Sequence, residues 1–251
     1  MSSSLAKTFR GLVIILSLGL LAGCLGNRNW EYPPSSTGAF LNTKAKMPLS
    51  AKAVVLPFED LRGKDMKEEY WKASIPLVRY GETAYDRPEE AVHPEEVDVV
   101  NFDPPNDFAK AAVAELQEAG LFSSVAFAEN DKAAPADLVF RGRLQSTEWK
   151  RRLDTYFLGP IGVVFWFLGA PMGETETAVE LDLRLTPASD PSKVLWSMAM
   201  EYEGEKYDSP YYNLEDAVQS YPGALQEALR PAIIDLVQLV DEDPERLNPG
   251  N

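Results

Sequence analysis

The sequence predicts an α+β fold. Two layers are expected: a mostly antiparallel sheet of about five strands, and two main helices covering it. A long apolar hairpin is expected as an insertion. Three observations carry this. Val179, Leu181, Leu183 and Leu185 alternate with Glu180, Asp182, Arg184 and Thr186, the period of a half-buried antiparallel strand. Phe108, Ala111, Ala112, Leu116 and Ala119 recur at helical spacing, as do Leu225, Leu229, Ile233, Leu236 and Val240. The 251 residues, 45% hydrophobic and 25% charged, suffice for one sizeable core.

Each element follows in order. Residues 24–50 hold Pro33, Pro34, Ser35, Ser36, Thr37 and Gly38, and read as an extended, mobile linker. Trp30, Tyr32 and Phe40 are unusual in a pure spacer. A single domain is expected over 51–241, opening with a buried strand at Lys52–Phe58 that has Pro57 near its exit. A short helix near 64–73 and then an irregular excursion occupy 59–103. Pro104 and Pro105 precede the helix of Phe108, and Gly120 closes it. Strands follow at Ser123–Ala128, from Asp137 to about Lys150, and at Val179–Leu185. Pro187–Ser192 turns the chain into a partner strand of Val194, Trp196, Met198, Met200 and Tyr202. Asn213 is the expected N-cap of the last helix, which Pro222 and Pro231 start, break or kink. Residues 242–251 read as a disordered acidic tail.

Composition excludes several functions. There are 39 acids against 24 bases, a formal charge of −15, and nucleic-acid binding needs a basic stripe. One cysteine rules out a disulfide framework and a multi-cysteine zinc site; one histidine leaves little metal or triad chemistry. His93 lies in an Ala91–Glu96 loop, and residues 24–251 contain no nucleophile-elbow GxSxG sequence. The acids from Glu82 to Asp98 lack EF-hand spacing, and Glu59, Asp60 and Asp65 follow a strand without a phosphate-cradling glycine loop. A pair of glycosidase carboxylates need not be local in sequence. No catalytic residue, metal or cofactor is expected.

The first 24 residues are an address. Lys7 and Arg10 precede the apolar run Leu12–Leu20, which is shorter than the roughly 20 residues of a membrane span. It ends in Leu21-Ala22-Gly23-Cys24. These four residues resemble the lipobox of bacterial lipoproteins. The resemblance implies a signal peptide over 1–23, cut before Cys24, and a diacylglycerol and an acyl chain on that cysteine. Leu25 stands where an Asp would retain such a protein at the inner membrane, which implies an outer-membrane, periplasm-facing anchor.

One segment asks for an explanation. Tyr156–Gly173 contains 18 residues and no charge, with Lys150, Arg151 and Arg152 just before it. A transmembrane helix is one reading, opposed by Gly159, Pro160, Gly162, Gly169 and Pro171. A loop folded onto the domain's own core is another. The third is an exposed apolar tip that meets membrane or protein, with Phe165, Trp166, Phe167 and Leu168 as anchors. Arg151 and Arg152 would then contact lipid phosphates or an acidic partner.

Ala53-Val54-Val55-Leu56-Pro57-Phe58-Glu59-Asp60 and Ala119-Gly120-Leu121-Phe122-Ser123-Ser124-Val125 resemble passages of the TolB amino-terminal-domain type, found in envelope lipoproteins. The excursion at 59–103 and the Tyr156–Gly173 insertion depart from that pattern. The resemblance implies a non-catalytic accessory or assembly subunit of an envelope complex, with an unidentified envelope protein as partner. A pore of the curli-secretion type and an envelope hydrolase are the alternatives. The first would need strands of 9–11 alternating residues, which Val163–Leu168 does not offer.

Overall fold

The computed structural model describes residues 30–34, 38–91, 101–130, 135–213 and 218–248. The chain runs β1 (Leu49–Val55), β2 (Glu59–Asp60), β3 (Met66–Glu68), β4 (Tyr80–Tyr85), α1 (Pro104–Glu118), β5 (Phe122–Phe127), β6 (Leu138–Ser146), β7 (Trp149–Asp154), α2 (Val163–Phe167), β8 (Gly173–Pro187), β9 (Trp196–Asp208) and α3 (Tyr221–Glu242). The nine strands among the described residues join one sheet. β6 and β7 are one strand direction bent at Thr147–Glu148. β8 pairs with β7 through Gly173–Thr177 and with β6 through Glu180–Pro187, and β9 lines its other edge over its whole length. Beyond β6 lie β1 and β5, and beyond β7 lie β4 and β3.

The sheet is mixed and larger than expected. β1 is parallel to both β5 and β6, and β2 is parallel to β6. The crossover from β1 to β5 carries α1, the usual route between parallel neighbours. The excursion at 59–103 contributes β2, β3 and β4, and the helix expected near 64–73 is a 3₁₀ turn at Tyr70–Ser74.

The alternation in β8 is borne out. Val179, Leu181, Leu183 and Leu185 are buried under the helices, against the anticipated stripes of α1 and α3. Pro231 sits inside α3 without ending it, and Pro222 lies in its first turn. The helix starts at Tyr221 with Ser220 at the cap position, so Asn213 does not cap it. The tail is seated rather than frayed as far as Asn248, because Leu247 is wholly buried in the core.

The segment expected as a mobile linker is, from Trp30 to Pro34 and from Gly38 to Ser50, laid along the helical layer as a strap. Trp30 stacks on Phe102 with centroids 5.7 Å apart and on Tyr32 at 5.9 Å, and Leu41 is buried. The Glu115 carboxylate, fully buried on α1, accepts hydrogen bonds from the Tyr32 hydroxyl (2.5 Å), the Leu41 amide (3.0 Å) and Gln226 Nε2 (3.2 Å). Burial and the adjacent Glu115 charge push the Tyr32 hydroxyl far above its ordinary value, so it remains a donor.

Candidate functional site

The apolar segment leaves the sheet at the end of β7. Thr155 is buried, and its hydroxyl donates to the Ala73 carbonyl (2.8 Å). The chain then turns outward through Tyr156 and Phe157, both at positive φ. Gly162 passes so close to the Thr155 carbonyl oxygen that a Cβ there would sit 1.9 Å from it, and only glycine fits. A 3₁₀ turn at Gly159–Gly162 and the five residues of α2 make the tip, and the chain returns into β8 at Gly173.

The tip is stapled at its root. The Trp166 indole N–H donates to the Asp154 carbonyl (2.7 Å), and the Tyr156 hydroxyl donates to the Pro171 carbonyl (2.6 Å). The Leu77 amide donates to the Phe157 carbonyl (2.8 Å), and the Tyr211 hydroxyl to the Phe167 carbonyl (3.0 Å). Trp166 is therefore half-buried and positions the tip rather than presenting itself. The outer face is bare. Ile161 is 71% exposed, Leu168 75%, Phe167 64% and Phe165 41%. Leu77, 85% exposed, lies on the neighbouring loop with its amide on the Phe157 carbonyl. Exposed apolar side chains grouped on one segment mark a contact site. The loop reading, with these residues packed on the domain's own core, does not hold. Among the described residues no helix is long and apolar enough to cross a membrane.

Arg151 and Arg152 are not the free cations expected at the root of the tip. Neighbours in a strand point to opposite faces, so the two act separately. Arg151 pairs with Asp208, Nη2 to Oδ2 3.0 Å, on a carboxylate that is nearly inaccessible. Arg152 lies opposite Glu174 on β8 and Glu82 on β4, and reaches Glu176 (2.8 Å), Glu82 (3.3 Å) and Glu174 (3.7 Å). Partial burial works against its charge, but the three carboxylates outweigh it and raise its pKa further. Arg152 ties β7 to β4 and β8, and Arg151 ties β7 to the end of β9, where the tip departs.

A second charged cluster was not anticipated. Arg62 is buried at the bend between β6 and β7. It donates to Asp60 (Nε, 2.9 Å), Glu89 (Nη2, 2.6 Å) and Thr147 (Nη1, 2.7 Å). The Tyr221 hydroxyl closes the site by donating to the Thr147 carbonyl (2.6 Å). Burial pushes the Asp60 carboxyl upward, but the hydrogen bonds and charge of Arg62, with Arg87, hold it below its ordinary value. Of the carboxylates that follow β1, Asp60 serves this structural ion cluster, while Glu59 pairs with Arg143 (3.1 Å). Among the described residues no three metal-ligating side chains converge. Cys24 and His93 lie outside the described residues.

The chain matches no protein-family model and no curated protein. Its architecture is similar to that of solved structures at low identity. A Xanthomonas campestris protein of the DUF330 family model shares 13% identity, with 83% of this chain and 95% of that one covered and a TM-score of 0.41. A putative neuraminyllactose-binding hemagglutinin homolog from Helicobacter pylori shares 11%, covering 84% and 97%, at 0.39. PelC from Paraburkholderia phytofirmans, solved as a dodecamer, shares 14%, covering 75% and 94%, at 0.35. Each is a distant likeness of architecture.

Proposed function

We propose that this chain is a lipid-anchored, non-catalytic lipoprotein of the bacterial outer membrane. It faces the periplasm and serves an envelope complex as an accessory or assembly subunit. Cys24 carries the acyl chains, and the body docks through the apolar tip. The observation that carries this reading is the tip itself. Phe165, Phe167, Leu168 and Ile161 stand exposed on a turn whose polar groups are tied down at its root. Such a surface is retained against its solubility cost where something covers it. The lipobox at Leu21–Cys24 supplies the anchor and the address.

Support for a non-catalytic role comes from the described carboxylates nearest a strand end. Asp60 and Glu89 are consumed by Arg62, and Asp208 by Arg151. The tip is a turn and a short helix, a shape that does not favour a barrel-forming reading.

The test is extraction of the full chain from its own envelope in mild detergent. The expected result is an acylated Cys24 in the amino-terminal peptide and migration in an assembly larger than the chain alone. Cys24→Ser is expected to leave the membrane fraction. A chain that always migrates alone would sink the accessory-subunit reading.

A further inference from the structure

We infer that the tip seats in lipid: its bare face enters the headgroup–acyl boundary of the leaflet that holds Cys24, and the body is attached to one membrane at two points. This deepens the reading above and rests on it, because the tether is counted from an acylated Cys24.

The first argument is length. If residues 24–50 were a free tether, the body would roam far from the membrane. The strap removes most of that reach, since Trp30 is already stacked on Phe102 and packed at a tilt against Phe108. Six Cα steps from Cys24 to Trp30 span at most about 22 Å. Trp30 is tied through Phe102 and Tyr221 to Thr147, the bend from which β7 leads to the tip. A body held this close to the leaflet can bring a short-range apolar face into contact with it.

The second argument is the polarity of the face. A protein interface of ordinary kind rings its apolar centre with hydrogen-bonding groups. Here the polar atoms are spent internally. Leu168 and Ala170 amides bond to Phe165 carbonyl, Gly169 to Trp166, and the Trp166, Tyr156 and Tyr211 side chains to carbonyls of the root and tip. A hydrocarbon neighbour requires that internal satisfaction.

Charge is the third argument. The run 156–173 has none, and the nearest acids, Asp154, Glu174 and Asp208, are paired with Arg79, Arg152 and Arg151. The whole chain at −15 would be repelled by an anionic surface, so the tip is the part able to approach, and zwitterionic lipid is the medium it suits. Tyr211, exposed and bonded to the Phe167 carbonyl of the tip, suits the interface beside it.

The experiment places a benzophenone amino acid at position 168 of the full acylated chain in cells, with position 47 as the control. Met47 is equally exposed but precedes β1, at the opposite end of the sheet from the tip. Lipid adducts at 168, at least tenfold above those at 47, are the expected result. A protein adduct as the main product at 168, or lipid yields equal at both positions, would overturn the inference and leave the anchored-lipoprotein reading standing. An unmodified Cys24 in the same sample's mass spectrum would bring down that reading and, with it, the length argument.

Discussion

Glu115→Ala is expected to release the strap while the sheet stays folded. Among the described residues, the carboxylate is the acceptor for both the Leu41 amide and the Tyr32 hydroxyl; Gln226 Nε2 also donates to the Ala39 carbonyl (2.8 Å) and keeps that partner. One buried and one half-buried donor are thus orphaned, at about 1–3 kcal/mol each, and removal of a buried charge returns part of this. A net loss of about 2–4 kcal/mol follows, which multiplies the open population of the strap by roughly 30 to 1,000. The sheet makes none of these contacts, so its cooperative transition should move little. Hydrogen exchange at the Leu41 amide reads the opening directly, and trypsin reads it at the exposed Lys44 and Lys46. Exchange and cleavage are expected to rise at least tenfold in the variant. Glu115→Gln, which keeps the shape but can accept at only one atom, should fall between. If cleavage at Lys44 and Lys46 were unchanged, the carboxylate would not be the lock. If the whole chain unfolded together, the strap would not be a separate unit.

Other expectations are simpler to state. Arg62→Ala should cost about 3–5 kcal/mol in urea denaturation, because it leaves Glu89 without its cation and Asp60 with Arg87 alone at a buried bend. The acid limb follows from Glu82, held below its ordinary value by Lys67 and Arg152 against a small cost of burial, and from Asp60. A depressed carboxyl contributes stability above its unfolded pKa of about 4 and loses it as pH falls through the folded value, so denaturation midpoints should drop steeply below about pH 4. Glu82→Gln should flatten that slope. Gly162→Ala, whose Cβ would meet the Thr155 carbonyl oxygen, should unseat the tip and shift Trp166 emission to the red without moving the sheet's transition. Leu247→Ala should cost about 2–5 kcal/mol, as expected of a wholly buried leucine; a loss near zero would return the tail to solvent.

What could be read from sequence was what one periodicity decides. The stripes of α1 and α3 and the alternation of β8 have one buried face each, and all three are found where expected. Parallel pairing was not legible. Val54-Val55-Leu56 is an apolar run that reads the same whether its neighbours run with it or against it. β3 is exposed throughout, so it carries no hydrophobic signal, and its existence depends on pairing with β4. The tip was legible as an uncharged run, but its exposure was not: the closing contacts come from Leu77 and Tyr211, far away in sequence. Lys150-Arg151-Arg152 looked like one basic cluster because adjacency in sequence hides the alternation of strand faces. The strap was misread because proline, serine and glycine dominate its middle. The contrary signal was present in Trp30, Tyr32 and Phe40, which a chain in water has no reason to carry together.

Those two misreadings bear on each other. The cations that were expected to draw the tip to phosphates are consumed within the sheet, so they add nothing to any contact with an anionic surface. On the proposed seating in lipid, attraction to the membrane then comes from apolar burial alone, which is short-ranged and acts only when the tip is already within contact distance. A long mobile tether would rarely put it there. The strap does, because it converts a 26-step reach into a six-step one. Trp30 stacks on Phe102, Phe102 on Tyr221, and the Tyr221 hydroxyl reaches Thr147, the bend from which β7 leads to the tip. The same aromatic stack that shortens the tether thus ties it to the strand that carries the tip. An exposed apolar tip and a buried Glu115 lock make physical sense as a pair: without the lock the tip is surface that aggregates, and without the tip the lock has nothing to aim.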